Sequence, residues 1–292
     1  MRDTAKHAYL VMAHTDPALL DQLLEALDDE RNDIFLHIDK KADMDISQLY
    51  RPRRAGMDLI PRINVNWGGD SQIECELELL RCAVPGHYAY YHLCSGADLP
   101  IKSQDEIHSF FDRSDGKNYI KIDKGGNGSD QWRYRVERYH FLQDKIGRNC
   151  GKYIGFMEKV ECFLLSVQKL LGVDRLKRCP MALYKGSNWF SITDEMARYI
   201  LQSEDRIRRY FYRSLCADEL FLQTIAMNGP LRDTIVDDDL RYIDWERGSP
   251  YTFTIEDLEL LSSVPDLFAR KFSTEKDPAI VEAVMGALVK KS

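Results

Sequence analysis

Apolar positions along this chain come either in short continuous runs or in stripes of helical spacing. Residues 8–13 (Ala-Tyr-Leu-Val-Met-Ala) form a run too brief for a helix, and His14-Thr15-Asp16-Pro17 follows. That order predicts a buried parallel strand and then a capped helix start. From Pro17 onward Leu19, Leu20, Leu23, Leu24 and Leu27 recur at helical spacing until Asn32-Asp33. Residues 34–39 then predict a second strand. Strand, helix and strand in quick succession open a nucleotide-binding α/β fold, in which ligands sit beyond the carboxyl ends of the strands. Asp39 falls at such an end. Ile73, Leu77 and Leu80 mark a helix after a turn at residues 64–69, and residues 88–94 predict a central strand. The small residues, Asp98 and Pro100 that follow predict a tight loop where backbone approaches a sugar or phosphate closely.

Farther along, residues 125–130 read as a flexible glycine-rich loop, residues 162–171 as a helix, and residues 181–192 as a loop feeding a strand. Thr193 is placed to cap the helix that runs to Leu201. Residues 240–245 predict a strand, 255–261 a short helix, and 267–272 an apolar segment carrying Arg270 and Lys271. No repeat, low-complexity tract or long linker interrupts this order, which predicts one domain over residues 1–292.

Two chemical signals stand out from the pattern. Asp218 and Glu219 lie just before Leu220, Phe221, Ile225 and Met227, whose spacing predicts a helix with the two acids in its first turn. There they either cap the helix or point into a cleft. The second signal is the stretch from Trp132 to His140, which mixes cations with aromatic rings, as nucleic-acid or carbohydrate surfaces do. A formal net charge of −7 favours sugar and argues against a nucleic-acid partner.

Other classes lack their marks. There is no Gly-x-Gly-x-x-Gly and no Walker loop, so a dinucleotide or P-loop site has no fingerprint. Seven cysteines without Cys-x-x-Cys spacing predict reduced, mostly buried thiols and a cytoplasmic setting. No apolar run reaches the length of a membrane span, which leaves only peripheral membrane association open. Asp43-Met44-Asp45 and Asp237-Asp238-Asp239 are the two Asp-x-Asp strings, and both read as surface turns rather than metal sites.

Seven ordered stretches resemble a known family: residues 8–14, 36–41, 93–102, 186–190, 217–219, 240–245 and 267–272. Together they are similar to the core-2/I-branching β-1,6-N-acetylglucosaminyltransferases and the related protein xylosyltransferases. The resemblance implies a GT-A-like α/β fold with a central mixed, mostly parallel sheet flanked by helices. It also implies an inverting, metal-independent transfer from a UDP-sugar, UDP-GlcNAc being the expected donor and UDP-xylose the alternative, to a glycan or glycolipid hydroxyl. No cofactor is implied, since the UDP-sugar is itself a substrate. Glu219 matches the family's catalytic base, Asp39 a contact to uracil and ribose, and Lys271 a cation on the donor diphosphate. The arginine that accompanies this lysine in the family aligns on Gly248, so Arg247 is the nearest candidate, with Arg241 and Arg270 as substitutes. Trp67 and Asp98 complete the expected donor set. Trp245, Trp189, Arg135 and Arg138 form the expected acceptor set. The competing reading is a silent sugar-binding module in which Glu219 only caps a helix.

Overall fold

A computed structural model describes residues 6–123, 130–146, 154–177 and 179–290. Residues 125–129 of the expected glycine-rich loop, and Cys150, lie outside the described residues.

Strand β1 (His7–Ala13) pairs in parallel with β2 (Asn32–Ile38) along its whole length, and α1 (Pro17–Ala26) joins them. The helix starts where the sequence says it should: Asp16 accepts the Leu19 N–H and Pro17 needs no partner for an N–H it lacks. Leu19, Leu20, Leu23 and Leu24 are fully buried against the sheet. β3 (Gly56–Leu59) extends the sheet beyond β2, and α2 (Asp70–Ala83) crosses back to β4 (Tyr90–Ser95) on the far side of β1. Strand order therefore reverses between β1 and β4, the kind of switch point where α/β sheets bind ligands. β4 is buried along its length, as its apolar run predicts.

The tight loop expected at residues 95–100 contains a short strand instead. β5 (Asp98–Pro100) is held by antiparallel pairing with a segment far away in sequence, which no local pattern reveals. Beyond it come α3 (Gln104–Asp112), β6 (Asn118–Ile120), α4 (Gln143–Ile146), α5 (Ile154–Leu170) and β7 (Phe190–Thr193). Thr193 caps α6 (Asp194–Gln202) by accepting the Met196 N–H, and α7 (Glu204–Phe211) and α8 (Phe221–Met227) follow. The chain ends with β8 (Ile235–Val236), β9 (Arg241–Ile243), α9 (Leu258–Ser263), β10 (Phe268–Arg270) and α10 (Pro278–Val284).

Among the described residues the main sheet runs β3-β2-β1-β4-β7-β6-β8, and β5-β10-β9 form a second, smaller sheet. β7 pairs antiparallel with both β4 and β6, while the other pairings of the main sheet are parallel. This mixed, mostly parallel sheet with helices on both faces is a GT-A-like α/β fold. One apolar core lies under α1, α10 and the small sheet, and another under α2, α6 and α8.

Candidate active site

Glu219 sits on a short 3-10 turn, residues 217–219, and not in the first turn of α8 as the spacing predicts. Cys216 takes a left-handed conformation at φ 47° and Leu220 lies at φ −127°, so the backbone leaves helical geometry on both sides of the acids. The positive end of α8 therefore does not account for their placement. What holds Glu219 is side-chain charge. Arg135 Nη1 donates to its Oε2 at 2.8 Å, and the Lys185 ammonium lies 3.4 Å from the same oxygen. Both cations also pack over the ring of Trp132, and Lys185 reaches Asp123 at 2.8 Å. One carboxylate oxygen is thus anchored, while the other, Oε1, lies outside both contacts.

Asp218, one residue earlier, points the other way. Its carboxyl is buried, takes one hydrogen bond from Gln72 Nε2 at 3.1 Å, and leaves Oδ1 without a partner. Burial, with the Glu219 charge beside it, pushes its pKa up to about 7. Glu76, from α2, is fully enclosed near it. Burial raises the Glu76 carboxyl well above its ordinary range, Asp218 adds to the rise, and Asn188 opposes it without reaching good hydrogen-bond geometry. The two buried carboxyl groups, both with raised pKa, lie beneath the turn that carries Glu219.

The loop Gly186-Ser187-Asn188-Trp189 links this turn to the second half of the site. Gly186 donates its N–H to the Glu219 carbonyl at 3.0 Å, and a Cβ there would fall 1.7 Å from the Lys121 carbonyl oxygen, so only glycine fits. At the other end the Arg270 guanidinium stacks on Trp189, 4.6 Å from the ring centre. Three residues of chain span at most about 11 Å, so the backbones at the two ends of this loop are near neighbours.

Arg270 also donates to Asp98 Oδ1 at 2.6 Å, and Asp98 Oδ2 accepts the Ser95 N–H. The Asp98 carboxylate is buried with both oxygens engaged, so it holds Arg270 in place. Lys271 follows Arg270 through a cis peptide bond. Its N–H bonds the Tyr251 carbonyl, and its own carbonyl accepts the Phe253 N–H. Among the described residues no carboxylate lies within ion-pair distance of its ammonium. Asp39, Lys41, Arg270 and Lys271 all act electrostatically on His14, which gathers the ends of β1, β2 and β10 in one charged cluster. Asp39 itself is buried just past β2, accepts the Lys41 N–H at 2.8 Å, and lies 3.8 Å from the Lys41 ammonium.

The remaining candidates divide. Trp67 stands in a turn whose Gly68 carbonyl accepts the Cys216 N–H, so it borders the Glu219 segment. Trp189 lies with the cations at Arg270, and not only with an acceptor surface. Trp245 is exposed just beyond β9. Arg138 pairs with Glu137 while Arg135 reaches Glu219, so the two arginines serve different partners. Arg247 is bound by both Asp244 and Asp257, at 2.6 and 2.7 Å. Arg241 is buried and donates to the carbonyls of Leu93 and Phe190. Of the acidic strings, Asp237 accepts the Ile122 N–H and Asp239 the Arg241 N–H, so their carboxylates turn to different backbone partners.

Sequence reasoning missed Lys185, His14, Gln72 and Glu76. Lys185 and His14 each adjoin or end a stretch that carries the resemblance, which was the signal available. Gln72 and Glu76 read as ordinary members of an amphipathic helix.

The sheet topology, with charged residues gathered at its switch point, is that of a GT-A-like α/β protein. The family model described as Core-2/I-Branching enzyme matches residues 7–262. The chain belongs to the Core-2/I-Branching enzyme family of glycosyltransferases. It is also similar to xylosyltransferase 2 of Homo sapiens, 24% identical over 94% of this chain and 33% of that protein. Xylosyltransferase 2 of Rattus norvegicus gives the same identity and coverage. Xylosyltransferase 1 of Homo sapiens is 23% identical over 90% of this chain and 28% of that protein. The chain thus spans about a third of the length of these curated relatives.

Proposed function

We propose that residues 1–292 act as one inverting glycosyltransferase domain that moves a sugar from a UDP-sugar to a hydroxyl of a glycan or glycolipid. The observation that carries this reading is Glu219, fixed through Oε2 by Arg135 and Lys185, with Lys271 and Arg270 at the far end of the Gly186–Trp189 loop. In one step the acceptor oxygen bonds the anomeric carbon, its proton passes to Glu219 Oε1, and the bond from the anomeric carbon to UDP breaks. The negative charge that appears on the departing diphosphate is met by Lys271, with Arg270 held behind it by Asp98 and Trp189. Asp39, at the end of β2, binds the nucleoside. Side-chain cations then take the part that a bound metal plays in other transferases, so no metal ion is required.

The donor sugar is GlcNAc or xylose. GlcNAc rests on the resemblance of the seven sequence stretches to the branching N-acetylglucosaminyltransferases, and the names of the relatives support xylose. Measuring UDP release from UDP-GlcNAc, UDP-xylose, UDP-glucuronate and UDP-galactose, each in excess EDTA, separates them. Release from one of the first two sustains the reading. Release from none, with UDP still bound, leaves a sugar-binding module.

A further inference from the structure

Helix α5 buries two polar side chains most deeply and leaves its largest apolar ones exposed. Its buried residues are Glu161 and Gln168, and both serve the neighbouring chain. Glu161 Oε2 accepts the Leu142 N–H at 3.1 Å, while Gln168 accepts the Tyr139 N–H at 2.8 Å and donates to the Tyr139 carbonyl at 2.9 Å. The opposite face carries Phe156, Val160, Phe163, Val167 and Leu170 at intervals of four and three residues, a single stripe along the helix. Phe156 is 69% exposed, Phe163 65%, Leu170 87% and the adjacent Leu171 72%. Isolated exposed apolar residues need no explanation, but a continuous stripe of large ones marks a contact surface.

Charge indicates what covers it. Between residues 145 and 177 the described residues carry five Lys or Arg against three Asp or Glu, a net +2 within a chain whose total is −7. Lys145, Lys159, Lys169 and Lys177 are all exposed, and none is in an ion pair with a described residue. Exposed Asp144 and Glu158 offset only part of this. A second copy would bring the same positive segment against itself, and an ordinary protein patch needs no such local excess. Apolar side chains flanked by lysines on an otherwise acidic protein match an anionic lipid surface, with the rings entering the acyl boundary and the ammonium groups at the headgroups. No described helix is long and apolar enough to cross a membrane, so the contact is lateral.

We infer that the outer face of α5 is a docking surface for an anionic lipid bilayer. This does not rest on the sugar-transfer reading, because none of these observations involves Glu219, Asp39 or Lys271. The test is co-sedimentation of the full chain with vesicles of phosphatidylcholine alone or mixed with phosphatidylglycerol. Binding is expected to the mixed vesicles only, to weaken as salt rises, and to fall about tenfold or more in Phe156→Ser/Phe163→Ser. An unchanged thermal melting midpoint shows that this variant folds. If it does not fold, Lys159→Glu/Lys169→Glu keeps the apolar stripe and is expected to lose binding and its salt dependence. The inference is overturned if the wild-type chain stays in the supernatant with phosphatidylglycerol vesicles, or if folded variants bind unchanged. It is equally overturned if sedimentation equilibrium shows a dimer that Phe156→Ser/Phe163→Ser converts to monomer.

Discussion

Asp218 and Glu219 are consecutive, and their carboxyl groups live in opposite surroundings. Glu219 lies toward the open side of its turn, with Arg135 and Lys185 on a single oxygen. Asp218 lies against α2 with one amide donor, an unpartnered oxygen and the buried Glu76 beyond. The same contrast separates the cations. Arg241 and Arg247 have their guanidinium groups taken up by carbonyls or carboxylates, whereas Lys271 has no such ion pair among the described residues. Residue type alone therefore does not mark a working group. A carboxylate or ammonium can act on a ligand when the protein fixes its position and leaves part of its bonding capacity unused; Glu219 meets both conditions, and Lys271 has its backbone held and its ammonium outside any ion pair with a described residue.

The largest effect that tests this contrast on the cationic side is expected at Lys271. Lys271→Ala should lower turnover about 10²- to 10³-fold, the size typical of removing one transition-state charge partner. Arg247→Ala should stay within a few-fold of wild type, because its charge is already committed. Steady-state rates of UDP release in excess EDTA compare the two. Equal losses, or full loss in EDTA with rescue by Mn²⁺, would place the diphosphate charge elsewhere.

Asp39→Ala should weaken UDP by about 1.5–3 kcal/mol, the value of one charge-assisted hydrogen bond. Titration calorimetry with UDP reads this directly, and an unchanged affinity makes Asp39 only the partner of Lys41.

The buried acid offers a test through stability. Its folded pKa of about 7 lies above the ordinary 3.8, so between those values the native state holds a proton that the unfolded chain has released. Stability therefore falls as pH rises through that window and levels off above it, by up to about 4 kcal/mol for Asp218. Asp218→Asn removes this contribution. Its urea midpoint should fall less than that of wild type between pH 5 and pH 8, and a parallel fall in both proteins would show that Asp218 is ionised in the native state.

Much of the frame was legible in the sequence because local forces set it. The run before His14, the leucine stripe after Pro17 and the cap at Thr193 each declare their element within a few residues. β5 was not legible, since only pairing with β10 makes residues 98–100 a strand. The helical spacing after Leu220 was read correctly, but its start was not. The left-handed Cys216 and the Gly186 N–H bond to Glu219 are tertiary features, and they separate the acids from α8. In the site, Glu219, Asp39 and Lys271 came from the resemblance together with position at strand or helix ends. The committed state of Arg247 and Arg241, the buried role of Asp98, and the clasp of Lys185 on Glu219 depend on contacts between segments that are distant in the chain. Residues 162–171 were read as a helix, but neither its start at Ile154 nor the side of α5 that meets the protein was legible.

The most direct test pairs the two neighbouring acids in one experiment: transfer rate and UDP affinity for Glu219→Gln and Asp218→Asn, measured side by side at pH 8. The account predicts that Glu219→Gln loses turnover about 10²- to 10⁴-fold with UDP affinity nearly intact, as expected for loss of a general base, while Asp218→Asn stays within about tenfold of wild type. Wild-type-like turnover in Glu219→Gln, or a larger loss in Asp218→Asn, would contradict the assignment of Glu219 as the base.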